Sequence, residues 1–482
     1  MSGASVELAA AALAGTPAWL VGGAVRDELL GRETADVDLV VAGDPRLAAR
    51  AIARAAGGAA CFALSHEHRS WRVVARDRSW QVDVEPLRGA RIEDDLALRD
   101  FTINAIARAL AGREPIDPLG GAEDLRARRL RMASPAAFAA DPLRVLRLVR
   151  LAVELDLRAE EATLAGAAAH ARALREVSPE RIFAELRRIV AAPQVRRGLQ
   201  LLEDVHATAV VLPELVALRG VQQSRYHHLD VYEHTLETLD RTVELTGDPS
   251  AGDPAWRSLL AARESEVAQV LAEPLADEMT RGEALRWGAL LHDAAKPLTR
   301  AVRPHDGRVT FVGHDARGAQ LAREVLTRLR TSERLREHVA ALTRHHLRAG
   351  FLVHEPQPLA RTTVFEYLRA CSPVEVDVTL LSVADRLATR GDRAREAVSA
   401  HLRLARELLA DALRWRAEGP PRPLLRGDEL ARELGVPAGP RVGELLEQLS
   451  AAQYAGEIGT RAAALERARA LVSQRARGGV LS

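Results

Sequence analysis

Two aspartates, Asp36 and Asp38, stand one residue apart in the run DVDLVV, whose β-branched and apolar residues read as a strand. At i and i+2 of a strand both carboxylates leave the same face. That makes an oxygen-rich site suited to Mg²⁺, an ion usually held by one or two carboxylates plus a substrate phosphate. Two such ions can activate an attacking hydroxyl and neutralise a pyrophosphate leaving group. Upstream, Gly22 and Gly23 lie between an apolar run and a helical stretch. Without Cβ atoms there, backbone N–H groups can approach a phosphate at a helix start. Arg26 can add charge-assisted bonds to a triphosphate, and Asp27 can pair with it or with a ribose. A second constellation is spread over the middle of the chain: His227, His228 and His234, then His292, Asp293 and Lys296, then His314 and Asp315, then His345 and His346, and finally Asp385. Imidazoles mixed with carboxylates suit Mn, Fe, Ni or Zn better than an all-oxygen magnesium site. A lone helical histidine more often satisfies a core hydrogen bond, so the weight rests on the set.

The elements that must position these residues change character along the chain. β-like runs at 18–21, 37–41, 71–75 and 80–85 alternate with helical stretches over the first 130 or so residues. From about Ser134 the pattern becomes Leu/Ala/Arg-rich with apolar residues at three- and four-residue spacing. An α/β head is therefore expected to precede an all-helical body. Gly and Pro clusters at 247–254 and 419–423 mark joints.

The chain has 482 residues, 47% hydrophobic and 28% charged, with a formal net charge of +1. This is ordinary globular composition and excludes a collagen, a disordered tail or a disulfide scaffold. Cys61 and Cys371 are too far apart in sequence for a metal knuckle. The apolar N-terminal run is broken by Gly15, Thr16 and Pro17, too short to span a bilayer. A reducing cytoplasm, no membrane and an undetermined oligomeric state are the expectations. Near-zero net charge neither argues for nucleic acid nor excludes it. The chain has a single lysine, Lys296, and a single asparagine, Asn104. Both fall inside motifs.

Those motifs carry a resemblance. GGAVRD with DVD, RDFTINAIA at 99–107, DPLGGAEDL at 117–125, DPLRVLRLVR at 141–150 and SPERIFAEL at 178–186 resemble, in order and separation, the class II tRNA nucleotidyltransferase and bacterial poly(A) polymerase family. The resemblance implies metals on Asp36 and Asp38, a triphosphate held by Gly22, Gly23, Arg26 and Asp27, phosphate and sugar contacts from Arg99 and Asp100, and a loop geometry fixed by Asn104. Asp83 reads either as a third carboxylate or as a partner for arginine. In this family a Glu-Asp-x-x-Arg pattern reads the Watson–Crick edge of the incoming base. Asp141 and Arg144 match it, while Ala140 replaces the family Glu and Leu98 replaces an arginine usual before RDFTINA. Asp141 followed by Pro142 is also a strong helix start in its own right. The helix opened by Ser178 is implied to buttress the base-reading helix.

The histidine set resembles the HD metal-dependent phosphohydrolase superfamily, with His234, His292, Asp293 and Asp385 matching its four ligands. His314 with His345 or His346 would complete a second ion site, with His345 the expected partner. The resulting expectation is an α+β multidomain chain: a nucleotidyltransferase head with a small mixed sheet over residues 1–133, a helical neck over 134–222, an HD domain over 223–400 and a helical tail over 401–482. The implied activity is template-independent addition of CCA from CTP and ATP to tRNA 3′ ends, with Mg²⁺ in the head. Two alternatives stand beside it: an A-adding or C-adding half enzyme or poly(A) polymerase, and an HD phosphohydrolase acting on RNA ends.

Overall fold

The computed structural model describes residues 2–32, 36–65, 69–223, 229–249, 251–389 and 394–478. They form two compact units, residues 1–211 and 212–482. The first unit is built on a seven-stranded mixed sheet. Its strands are β1 (Ala18–Val21), β2 (Asp36–Val41), β3 (Ala60–Ser65), β4 (Ser70–Val74), β5 (Gln81–Pro86), β6 (Ala107–Ala109) and β7 (Pro115–Ile116), in the spatial order β3-β4-β5-β2-β1-β6-β7. Only β2 and β5 run parallel, in the register Asp36↔Gln81 and Asp38↔Asp83. Every other pair is antiparallel. The four expected strands are present within a residue or so. β3, β6 and β7 carry no clean alternation and were not foreseen.

Val37, Leu39 and Val41 on one face of β2 and Val82 and Val84 on β5 are buried. The helix Pro45–Ala55 lays its own buried residues, Ala48, Ala49, Ile52 and Ala53, against this sheet. It starts where Asp44 accepts a hydrogen bond from the Arg46 amide and Pro45 supplies a preset φ. The helices from residue 137 to residue 211 belong to the same compact unit as the sheet. DPLRVLRLVR begins its helix at Arg144, not Asp141. Asp141 is extended and its carboxylate caps the entry turn by accepting from the Leu143 amide at 3.1 Å.

The second unit is helical apart from short two-stranded ribbons. Helices Val231–Thr246, Arg281–Leu291, His314–Arg328, Glu333–His345 and Glu375–Leu387 surround the histidine set. The 25-residue helix Ala394–Glu418 runs through the joint expected at 400/401. The tail has its own small core of Leu425, Leu430, Val442, Leu445, Leu449 and Ile458. It is fastened where the Tyr454 ring meets Trp415 of that long helix at 5.9 Å and Phe365 of the helix Arg361–Cys371 at 5.7 Å. No described helix is long and apolar enough to cross a membrane.

Candidate active site and metal centre

In the head, β1 ends at Val21 and the chain turns through Gly22 at φ 67° into the helix Gly23–Leu29. A Cβ on Gly22 would stand 3.0 Å from Arg99 Nη1 and 3.5 Å from Asp38 Oδ2, so glycine here answers both a left-handed φ and a close approach. Asp36 and Asp38 project from one face of β2 beside this turn. Burial, then the carboxylates of Asp83 and Glu85, push Asp38 up to about 6, with Arg99 and Arg147 opposing. A carboxylate pair crowded by further carboxylates is a donor set that a hard divalent cation would relieve, and its all-oxygen chemistry fits Mg²⁺. Asp83 is gripped by Arg72 through two hydrogen bonds of 2.7 Å, which is the arginine-partner alternative.

Asp36 and Asp38 open into a polar cavity of about 430 Å³ that also takes in Gly22, Gly23, Arg26, Asp27, Arg99, Asp100, Asn104, Asp141 and Arg144. The fold thus gathers the metal, triphosphate and base-reading candidates of the head in one cavity, while Asp83 is not among its lining residues. It adds Glu85, Arg88, Arg147, Arg150 and Arg188, which sequence reasoning missed. The signal was present for two of them, because Arg144, Arg147 and Arg150 recur every three residues and so share a helix face.

Within the cavity the charges are interlocked. Arg26 holds Asp27 through two 2.9 Å bonds and donates a third from Nη1 to Asn104 Oδ1 at 2.8 Å. Arg99 and Arg88 converge on the fully buried Asp95. Burial opposes ionisation of Asp95, but the Arg88 hydrogen bond and the two guanidinium charges outweigh it and hold the carboxyl below its usual range. Arg144 donates Nη1 to the carbonyls of Ala137 (3.0 Å) and Arg99 (3.2 Å), and Nη2 to that of Leu98 (2.9 Å). These backbone oxygens orient the guanidinium although residue 140 is alanine. By count, Nε–H and one Nη2–H of Arg144 are not used by these bonds. Asp141 takes Arg181 at 2.7 Å from the helix Pro179–Ala191. The same helix binds the next turns through Glu185 to Arg150 at 2.5 Å and Arg188 to Glu154 at 2.7 Å. This is the geometry of a buttress. The cluster Arg126, Arg128, Arg129 and Arg131 is internally paired, with Glu123, Asp156 and the buried Asp124.

In the second unit the buried Asp293 lies between two sets of imidazoles. Its Oδ2 is 3.2 Å from His292 Nε2 and 3.7 Å from His234 Nε2. Its Oδ1 is 3.4 Å from His314 Nε2 and 3.8 Å from His346 Nε2. Asp385 Oδ1 lies 2.9 Å from His234 Nε2 and 4.0 Å from His292 Nε2. Two groups with metal-ligand spacing result, His234–His292–Asp293 and Asp293–His314–His346. His292, His314 and His346 each point Nδ1 at the carbonyl three residues back, Ala289, Phe311 and Thr343, at 2.6–2.8 Å. Such a bond fixes the tautomer and leaves the Nε2 lone pair facing the centre. All three Nε2 atoms are buried without a hydrogen-bond partner, the expected state of imidazoles built to take a metal.

Burial, with His292 nearby, pushes His346 down to about 4, which keeps it neutral and available as a ligand. Asp293 is held well below the carboxylate range: burial opposes this, but His292 and Lys296 prevail. Lys296 Nζ sits 2.6 Å from its Oδ2. The expected second-site ligand is corrected by one residue. His345 faces Arg348, whose Nε donates to it at 2.9 Å, and it does not enter either group. The Glu333–His345 helix ends there, and the following residue, His346, turns inward. Asp315 also points away, to Arg344 at 2.8 Å. His227 and His228 lie outside the described residues.

Three segments of the chain match known protein families. Residues 18–131 match the Poly A polymerase head domain, 156–218 the probable RNA- and SrmB-binding site of polymerase A, and 231–390 the HD domain. The A-adding tRNA nucleotidyltransferase of Deinococcus radiodurans is 39% identical over 92% of this chain and 92% of its own. The CC-adding tRNA nucleotidyltransferase of Thermus thermophilus is 36% identical over 92% and 91%. A multifunctional CCA protein of Xanthomonas campestris is 33% identical over 73% and 79%. Among solved structures, the Thermotoga maritima CCA-adding enzyme complexed with tRNA shares the fold at a TM-score of 0.59, with 19% identity over 98% of this chain and 95% of its own. Head, neck, histidine centre and tail together place this chain in the CCA-adding tRNA nucleotidyltransferase family, as an enzyme with an HD domain.

Proposed function

We propose that this chain completes the CCA end of tRNA from CTP and ATP, its head performing the transfer. The observation that carries this reading is the convergence of Asp36 and Asp38, the Gly22 turn, Arg26, Asp141 and Arg144 on one cavity. Mg²⁺ bound by Asp36 and Asp38 would lower the pKa of the tRNA 3′-hydroxyl and neutralise the departing pyrophosphate. Gly22 and Gly23 admit the triphosphate to the start of the helix Gly23–Leu29, where backbone N–H groups and Arg26 meet its charge. Arg99, lying against Gly22, adds a second guanidinium. Asp141 offers a carboxylate and Arg144 an oriented pair of N–H donors to the edge of the base. These groups act by positioning and charge stabilisation, with no covalent step on the protein. The histidine centre takes Mn, Fe, Ni or Zn by its ligand chemistry.

A second reading, addition of A alone or of C alone, is favoured by a specific observation. Relatives that match over at least 91% of their own length are named A-adding or CC-adding. The multifunctional CCA protein quoted above matches over 79%. The deciding experiment offers tRNA transcripts ending before CCA, after C and after CC, with CTP and ATP separately and together, and reads products on a sequencing gel. Full CCA on the shortest transcript supports the first reading. A only on the CC-ended transcript, or C only on the shortest, supports the second. No extension of any transcript overturns both.

A further inference from the structure

The Asn104 side chain is buried in the short turn Thr102–Asn104. Its Oδ1 accepts from Arg26 Nη1 at 2.8 Å, and its Nδ2 donates to Asp100 Oδ1 at 3.0 Å. Asp100 also accepts from the Phe101 amide at 2.8 Å, and its Oδ2 lies 3.0 Å from an Nη of Arg147. Arg147 is one turn beyond Arg144 on the helix Arg144–Glu154. A single polar path therefore joins the triphosphate side of the cavity to the helix that carries the base-facing arginine: Arg26, Asn104, Asp100, Arg147. The turn itself is pinned from below. The Thr102 hydroxyl donates to Asp124 at 2.6 Å, and Gly121 packs directly under the Thr102 carbonyl.

The chemistry of the middle link is restrictive. It must accept from a guanidinium at one end and donate to a carboxylate at the other, within the length of one short side chain. Aspartate in its place would face Asp100 with like charge, leucine would take one hydrogen bond each from Arg26 and Asp100 and break the path between them, and a cation would oppose Arg26. An amide of this length meets the requirement, and this is the only asparagine among 482 residues. We propose that Asn104 is a positioning residue that couples base recognition to triphosphate alignment, so that the nucleotide whose base fits Asp141 and Arg144 has its α-phosphate held for attack more often than one whose base does not. The proposal rests on the transferase reading above and adds to it a source of nucleotide selectivity.

The test compares wild type with Asn104→Leu, Asn104→Asp and Asn104→Ser. Thermal melting selects variants that fold, and Asn104→Ser, which removes the span with little change of polarity, covers failure of the other two. Single-turnover rates on tRNA are measured for ATP, CTP, UTP and GTP. In parallel, CTP, ATP and tripolyphosphate are titrated with Mg²⁺ by calorimetry. Coupling predicts that the rate advantage of the preferred nucleotide over UTP and GTP narrows by about tenfold while KM changes by less than about threefold. It also predicts that affinity for tripolyphosphate stays within about twofold while the advantage of CTP or ATP over it shrinks, and that adding Arg147→Ala to Asn104→Leu costs nothing further. Equal loss for all nucleotides with selectivity intact, or additive effects of the two substitutions, overturns the coupling. If wild type extends no tRNA, the transferase reading fails by itself, and the binding titrations still decide the coupling.

Discussion

Gly121 and Thr102 touch so closely that a Cβ on the glycine would stand 2.0 Å from the threonine carbonyl oxygen. Two sequence motifs, DPLGGAEDL and RDFTINAIA, meet at this contact. Asp117 fastens the first by accepting from the Gly121 and Ala122 amides at 2.7 and 2.9 Å. Gly121 of that motif is therefore a packing device beneath the turn that carries Asn104.

Gly121→Ala should consequently displace the Thr102–Asn104 turn, because backbone cannot yield as a side-chain end would. The expected cost is about 2 kcal/mol of stability, as for other overpacked cores, together with a fall in transfer rate. Denaturant unfolding and primer extension on the same preparation check both. Unchanged melting would show that the turn relaxes without strain.

Asp38→Asn should lower nucleotide transfer by about a thousandfold, since it removes one of the two carboxylates proposed to hold the Mg²⁺ that would activate the 3′-hydroxyl and neutralise the departing pyrophosphate. tRNA binding should stay within about twofold, because phosphate contacts on tRNA depend on other residues. Asp83→Asn, already neutralised by Arg72, should cost far less. Filter binding beside single-turnover extension separates the two effects.

At the histidine centre, His346→Ala should weaken metal binding by at least about tenfold, while His345→Ala leaves it within about twofold. Metal content after dialysis and the rise in melting temperature with added Mn²⁺ or Zn²⁺ provide the measurement. Equal loss in both variants would contradict the inward orientation of His346.

Acid should destabilise the second unit through buried histidines outside the metal groups. Burial pushes His338 down to about 4, with Asp377 opposing and Arg281 assisting. Between its usual value of 6.5 and about 4 the unfolded chain binds a proton that the native His338 does not, so stability rises with pH there and is lost on acidification. His338→Gln should flatten that loss by about 1–2 kcal/mol between about pH 7 and about pH 4.5. Urea midpoints of both proteins at the two pH values give the difference directly.

Much of this protein was legible in residue order. Asp36 and Asp38 at strand spacing, glycines before a helix and the ordered motifs determined the α/β head and the family. The histidine and aspartate set pointed to the buried residues that the fold brings to metal-ligand spacing. Local spacing carries such information because strand alternation and helix starts are set by neighbours in sequence. Which of two adjacent histidines turns inward depended on where the Glu333–His345 helix stops, and a one-residue change in a helix end swings a side chain by about 100°. The cavity roles of Glu85 and Arg188 depended on strand order and on helix packing between segments 100 residues apart in sequence. Arg144 illustrates the division. Its place in the motif marked it as base-facing, but only the folded chain could bring the carbonyls of Leu98, Arg99 and Ala137 around its guanidinium, because those oxygens belong to backbone whose direction no side-chain pattern encodes.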